Sequence, residues 1–349
     1  MNVAVNYAKG IAIILMVLLH SSRWIESSYF GHIICMFHMP LFFIMSGFCF
    51  KKKYLDDFKN FVVKRIKGLW WPYVKYGFLF LLFHNVFFHL HIYDSIYGSY
   101  TGQTSSLYDI KDFILQMQRI LRMVSTEQLL SGFWFLPALF YASIIAYIII
   151  RYIHNRILGG AVLISFVLGF LAFDFKVPFL GIDNKMLLGA LFFYFGFCWK
   201  DNINLFESVR NNAIFSMFAI VLTIIMAWKI PVSMPTMKLI YVVPYMFTAI
   251  FASVFIYLSC LCLAKFNTPV GTFLNYIGMH TIEILTWHFL FFKLVSLIIV
   301  KIYKLPLNTI ASFPSIQEYS SEGWWMAYTL VGVLLPVMLI CMINKILKI

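Results

Sequence analysis

Charge is what this sequence of 349 residues has least of: Asp, Glu, Lys and Arg together make 12% of it, about half the share of a soluble domain. Acids are the scarcer sign, 14 against 27 Lys and Arg. Cysteine is sparse, and Cys35, Cys49, Cys198, Cys260, Cys262 and Cys341 all stand in apolar stretches without metal-site spacing. Cys260 and Cys262 would point to different faces of a helix, so the six read as small buried hydrophobes. No internal repeat and no low-complexity linker is visible. What fills the chain is hydrophobic, 62% of residues, with 19% aromatic. These proportions exclude a soluble globule, a disordered chain, a disulfide scaffold and a nucleic-acid reader. The net charge of +13 follows from the positive-inside bias and attraction to anionic lipid.

A membrane span needs roughly 20 mostly apolar residues to cross about 30 Å of hydrocarbon. On that criterion the chain reads as an all-α integral membrane protein, a polytopic bundle of about ten transmembrane helices. They are expected near Tyr7–Ser22, Phe30–Phe50, Leu69–Leu90, Phe133–Tyr152, Ile157–Phe173, Met186–Trp199, Ala213–Trp228, Leu239–Ala264, Ile277–Ile302 and Trp324–Leu347. Residues 1–349 are expected to form a single domain. The run Ile11–Leu19 lacks an Ala-x-Ala cleavage site and reads as a first, uncleaved membrane helix. Lys51, Lys52, Lys53, Lys59, Lys64, Arg65 and Lys67 crowd the connection after the second span. That places this loop and both termini in the cytoplasm. Most acids, Asp94, Asp109, Asp112 and Glu127 among them, then fall outside. In the outer segment His91–Gly132, Ile110, Phe113, Ile114, Met117, Ile120, Leu121 and Val124 recur at helical spacing, which predicts an amphipathic helix on the membrane surface. It is either structural filler or a wall of an outward-facing cleft.

Ionisable side chains inside spans are costly and therefore functional candidates. The first helix has Lys9 and His20, on one face and about 16 Å apart along its axis. Lys9 is placed to snorkel or to bind, and His20 to hydrogen-bond a neighbour or to act as a base. In the second span Pro40 is expected to kink the helix and free carbonyls, one of which His38 would bind. Ser46-Gly47 is a small pair that allows close helix approach. The ninth span holds Glu283, His288 and Lys293. Glu283 is either an orienter of His20 or the partner of Lys9 or Lys293 in a buried ion pair. His84, His89 and His91 have no matching carboxylate or Cys and read as interfacial histidines; no metal site is expected.

Asn6-Tyr7-Ala8-Lys9-Gly10-Ile11-Ala12-Ile13 followed by His20, then the run Phe37 to Gly47, resembles the opening of the membrane-bound acyltransferase-3 family, which includes bacterial O-acetylases of surface glycans. The family keeps a basic residue, usually Arg, separated by a gap of ten residues from a His on the first helix; here it is Lys9. Lys64-Arg65-Ile66-Lys67-Gly68-Leu69-Trp70-Trp71-Pro72-Tyr73 is similar to the family's basic segment leading into Leu-x-x-Pro-Tyr. Arg65 matches the first of two arginines, Gly68 replaces the second, and Lys67 is the available substitute. Gly132-Phe133-Trp134-Phe135-Leu136 is similar to the start of a later span. Asn275 to His288 is similar to a late segment, with Thr281 near the family's Ser and its Tyr absent.

The resemblance implies an acyl-CoA donor, usually acetyl-CoA from the cytoplasm, and a sugar hydroxyl as acceptor, with no permanently bound cofactor. The expected partners are acyl-CoA, a glycan or lipid-linked sugar, and the bilayer of a bacterial inner membrane. A sugar hydroxyl is a poor nucleophile, so a positioned base such as His20 accelerates its attack. Apolar surroundings favour the neutral imidazole a base needs. Glu283 is the expected orienter of that base. Lys9, Arg65 and Lys67 are the expected donor contacts. His38, Ser46, Trp134 and His288 are expected to shape the acceptor side. A glycan transporter or flippase shares the intramembrane His, Lys and Glu and the broken helices, and stays open as the second reading.

Overall fold

The computed structural model of the protein describes residues 2–97, 106–201, 213–266 and 268–347. These residues are overwhelmingly helical; their β-type pairing is an isolated bridge between Val177 and Ile182. Six helical stretches among them are long and apolar enough to cross a membrane: Val3–Ser21, Tyr29–Phe48, Gln128–Tyr152, Leu239–Leu263, Thr281–Tyr303 and Gln317–Ile343. Arg156–Ala172 and Ile214–Lys229 are apolar but shorter.

Several of the expected spans differ in their bounds or continuity, for local reasons. The run Leu69–Leu90 is broken: a π-turn at Ile66–Trp70 leads into the helix Trp71–Leu82, and Phe83 separates it from the short helix His84–His89. Asn184–Asp201 carries polar residues at both ends, leaving a short apolar middle. The expected Ile277–Ile302 span is two helices, Pro269–Met279 and Thr281–Tyr303, meeting at His280. The second span bends at Met36-Phe37 rather than at Pro40. Pro40 sits in the first turn of the helix His38–Phe48, where a missing N–H costs nothing.

The chain forms two compact units, each drawn from three stretches. The first comprises Met1–Ala12, Tyr29–Trp71 and Phe135–Met279. Its core includes Phe43, Phe192, Phe193, Trp199, Tyr245 and Tyr257, all buried. Here the helix His38–Phe48 crosses Asn184–Asp201 with backbone against backbone. A Cβ at Gly47 would collide with the Phe193 carbonyl, and one at Gly196 with that of Ile44. The expected close approach at Ser46-Gly47 therefore rests on Gly47, while Ser46 is only half-buried.

The second unit comprises Ile13–Ser28, Pro72–Trp134 and His280–Ile349. Thr281–Tyr303 and Trp325–Leu347 pack through Phe292 and Tyr328, ring centroids 5.2 Å apart. The amphipathic helix is present as Ile110–Leu121, opened by a reciprocal Asp109–Asp112 capping box. It buries Ile120 and exposes Ile110, Ile114, Met117 and Leu121.

His84 overturns its expected interfacial role. Its side chain is fully buried, and Nδ1 lies 2.9 Å from Oε2 of Glu127, itself 3% exposed. Nε2 lies 3.1 Å from the Ser106 carbonyl oxygen, and the Tyr108 ring stacks at 3.4 Å with an interplanar angle of 5°. Both ring nitrogens thus face an oxygen, which holds the imidazole between Glu127 and the Ser106 backbone. Asn85 completes the fastening by exchanging two hydrogen bonds with the Tyr108 backbone, at 2.9 and 3.0 Å. His89 and His91 are exposed. Among the described residues no three His, Cys, Asp or Glu side chains gather as a metal site.

Candidate functional site

His20 lies in the last turn of the helix Val3–Ser21, and His288 is fully buried in the second turn of Thr281–Tyr303. Both belong to the second unit. Nδ1 of His20 is 3.1 Å from Nε2 of His288. Nδ1 of His288 in turn faces two backbone carbonyl oxygens, of Ile284 and Leu285, each at 3.0 Å. A carbonyl only accepts, so His288 Nδ1 carries the proton and, in the neutral ring, Nε2 accepts. His20 Nδ1 must then be the donor in the pair. In the neutral His20 ring Nε2 is then the nitrogen without a proton. Two carbonyls thus fix two tautomers in series.

Aromatic packing holds the pair flat. The His20 and His288 rings lie edge to edge, centroids 5.3 Å apart and planes within 15° of each other. Phe289 lies 4.9 Å from His20 and 4.0 Å from His288. The end of the His20 helix is tied down as well: the Ser21 carbonyl, one of the groups a helix end leaves unpaired, accepts from Ser315 Oγ at 2.7 Å and Ser320 Oγ at 2.6 Å.

Glu283, expected to orient His20, is replaced in that role at Nδ1 by His288. Its carboxylate faces His280, with Oε1 3.8 Å from Nδ1, because it sits one turn and a half before His288 at the start of the helix. Nor does it neutralise Lys293. That buried ammonium donates to the carbonyl oxygens of Ile310, Ala311 and Ser312 at 3.1, 3.1 and 2.8 Å. These end the 3₁₀ turn Leu307–Ala311, where a cation satisfies open carbonyls. Phe313 follows and packs 4.8 Å from Phe289. Lys293 therefore fixes the loop beside the histidine pair. Neither these carbonyls nor the two serine hydroxyls leave a sequence signal, since their partners lie far along the chain.

The other expected residues are distributed as follows. His38 Nδ1 donates to the Ile34 carbonyl oxygen at 2.9 Å, a group at the bend that also accepts from the Phe37 N–H at 3.1 Å, so His38 binds a backbone carbonyl, but not one left open by Pro40. Trp134 closes the 3₁₀ segment Gln128–Trp134 and is half-buried. Lys9 and Arg65 both lie within electrostatic reach of the Cys49 thiol in the first unit. Arg65 sits 5.1 Å from the Phe61 ring and 5.5 Å from that of Phe193. Burial brings its pKa down to about 10, which leaves it cationic at neutral pH. Lys67 is exposed on the π-turn.

A family model described as an acyltransferase domain matches residues 2–343, nearly the whole chain. The chain belongs to the acyltransferase-3 family. Transport and acyl transfer were both compatible with the sequence; the family assignment is to acyl transfer. With six long apolar helices among its described residues, this acyltransferase is a multi-pass membrane protein. No curated protein and no solved structure gives a significant match to it.

Proposed function

We propose that this acyltransferase moves an acetyl group from acetyl-CoA to a hydroxyl of a cell-surface glycan or its lipid-linked precursor, with His20 as general base. The observation that supports this reading is the hydrogen bond from His20 Nδ1 to His288, which leaves a lone pair at His20 Nε2. In the reaction the acceptor oxygen attacks the thioester carbonyl carbon while its proton passes to Nε2. The C–S bond then breaks, and the CoA sulfur leaves with the proton that the His20 imidazolium returns. The imidazolium is stabilised by donating from Nδ1 to His288, a charge-assisted bond. Lys9, Arg65 and Lys67 are assigned to the donor; His38, Ser46 and Trp134 to the shape of the acceptor side. The whole chain works as one domain with no resident cofactor. Purified protein in detergent should release free CoA from radiolabelled acetyl-CoA, and a deletion strain should lose acetyl esters from one surface glycan. Persistence of both the intact thioester and the glycan esters would overturn the reading.

Lys9→Met should raise the KM for acetyl-CoA about tenfold or more, the scale of one lost charge-assisted hydrogen bond. Lys9→Arg should retain most activity, since a point charge suffices. Equal KM values for Lys9→Met and wild type would return Lys9 to a snorkelling role.

The orientation assigned is that of a bacterial inner-membrane protein with both termini cytoplasmic. In a background without native cysteines, Lys111→Cys should react with an impermeant thiol reagent added outside intact spheroplasts, and Lys52→Cys should not. The opposite pattern means an inverted topology.

A further inference from the structure

The pair His84–Glu127 lies outside the chemistry, yet the second unit buries both side chains, 0% and 3% exposed, to make it. A buried carboxylate is costly unless it is well paired, and an apolar pair of similar size often holds a fold as well. Stability alone therefore gives no reason for it. Glu127 directly precedes the 3₁₀ segment Gln128–Trp134. Its carbonyl oxygen accepts from the Leu130 N–H at 2.8 Å, and Thr126 Oγ donates to the Leu130 carbonyl oxygen at 3.2 Å. The carboxylate held by His84 thus anchors the point at which this segment begins.

The same segment reaches the histidine pair. A Cβ on Gly132 would stand 3.0 Å from Cδ1 of Leu285, 3.7 Å from Cε1 of His288 and 4.0 Å from Cε2 of Phe289. Backbone therefore backs the edge of the His288 ring, with no side chain of Gly132 between. A slip of one residue would bring Ser131 or Phe133 to that place. Leu129, Leu130 and Phe133, all fully buried, resist such a slip only weakly, because lipid tails are as apolar as the contacts they would leave. The Glu127 carboxylate, tied to His84 on another helix, does not slide so freely, and a buried polar pair can fix register in this way.

We propose that Glu127 and His84 are positioning residues for the histidine pair. They fix the register of Gln128–Trp134, Gly132 then backs the His288 ring, and His288 Nε2 stays where His20 Nδ1 donates to it. Their importance for acyl transfer rests on the reading of His20 as the base.

The double variant His84→Leu/Glu127→Leu replaces the pair by apolar side chains, whereas Gly132→Ala keeps the pair and crowds Leu285 instead. Each is reconstituted in phosphatidylcholine nanodiscs with nitrogen-15-labelled histidine. The signals of His20 Nδ1 and His288 Nε2, assigned with His20→Ala and His288→Phe, report the hydrogen bond between them. Turnover is followed as CoA released from acetyl-CoA, with surface glycan extracted from a deletion strain as acceptor. Both variants should shift those signals and lower kcat about tenfold or more, as small misplacements do. The KM for acetyl-CoA should stay within about twofold of wild type. Glu127→Gln keeps an acceptor for His84 and should leave both readouts near wild type; a loss equal to that of the Leu pair means charge rather than register and overturns the proposal. Gly132→Ala added to the Leu pair should cost less than about a further twofold, since both act at one contact. A full multiplicative loss means separate effects and also overturns it. Should the Leu pair fail to fold, Glu127→Asp, which shortens the reach of the carboxylate, carries the test: shifted histidine signals are expected, and unshifted ones overturn the proposal. Altered signals with wild-type kcat keep the positioning and reject His20 as the base, whereas unchanged signals reject the positioning whatever the turnover.

Discussion

His20→Ala should cut acyl transfer by about 10²–10⁴-fold, the share a positioned base contributes, with unchanged membrane insertion. Ala is a strong helix former, and the helix Val3–Ser21 keeps its tie at the Ser21 carbonyl. The loss should fall on kcat rather than on the KM for acetyl-CoA, since the base acts on the acceptor hydroxyl only as the transition state forms. Product glycan is quantified by released acetate, and insertion by protease resistance of the membrane fraction. Wild-type acetylation in this variant would remove His20 from the mechanism.

His288→Phe should also lower kcat, by about 10²-fold, because it keeps a ring between Phe289 and Phe292 but removes the acceptor that fixes the His20 tautomer. The proton of neutral His20 is then no longer held at Nδ1, and part of the population presents N–H where the base is needed. His288→Gln keeps an acceptor oxygen and should recover much of the rate. A merely structural His288 predicts instead that both variants lose folded protein in parallel and that the surviving fraction has wild-type kcat. Active-site titration separates the two outcomes.

Much of this architecture is legible in the sequence because burial in lipid demands long apolar runs, and such runs are visible without partners. His20 and Lys9 stand out for the same reason, as ionisable groups where hydrocarbon is expected. Local breaks are not legible. Phe83 and Met36-Phe37 interrupt helices at apolar residues that carry no breaking signal of their own, and Pro40 draws attention to a position a few residues too late. Pairings across the chain are hidden altogether. Glu283 looks like the orienter of His20 because carboxylates commonly take that part, yet the neutral His288 occupies the nitrogen. His84 looks interfacial because Glu127 is 43 residues away. Lys293 looks like half of an ion pair because carbonyl partners carry no side-chain signature.

The hydrogen bond between His20 and His288 joins residues 268 apart, and that separation sets a schedule for biosynthesis. At about 5–20 residues per second a ribosome needs ~13–54 s to reach His288 after making His20. Throughout that interval the first helix sits in the membrane with its imidazole hydrogen-bonded, if at all, to temporary partners. The serines that hold the end of that helix emerge later still. The nascent protein therefore completes the histidine pair only late in translation, and a chain that stalls before Thr281 leaves His20 in the membrane without His288.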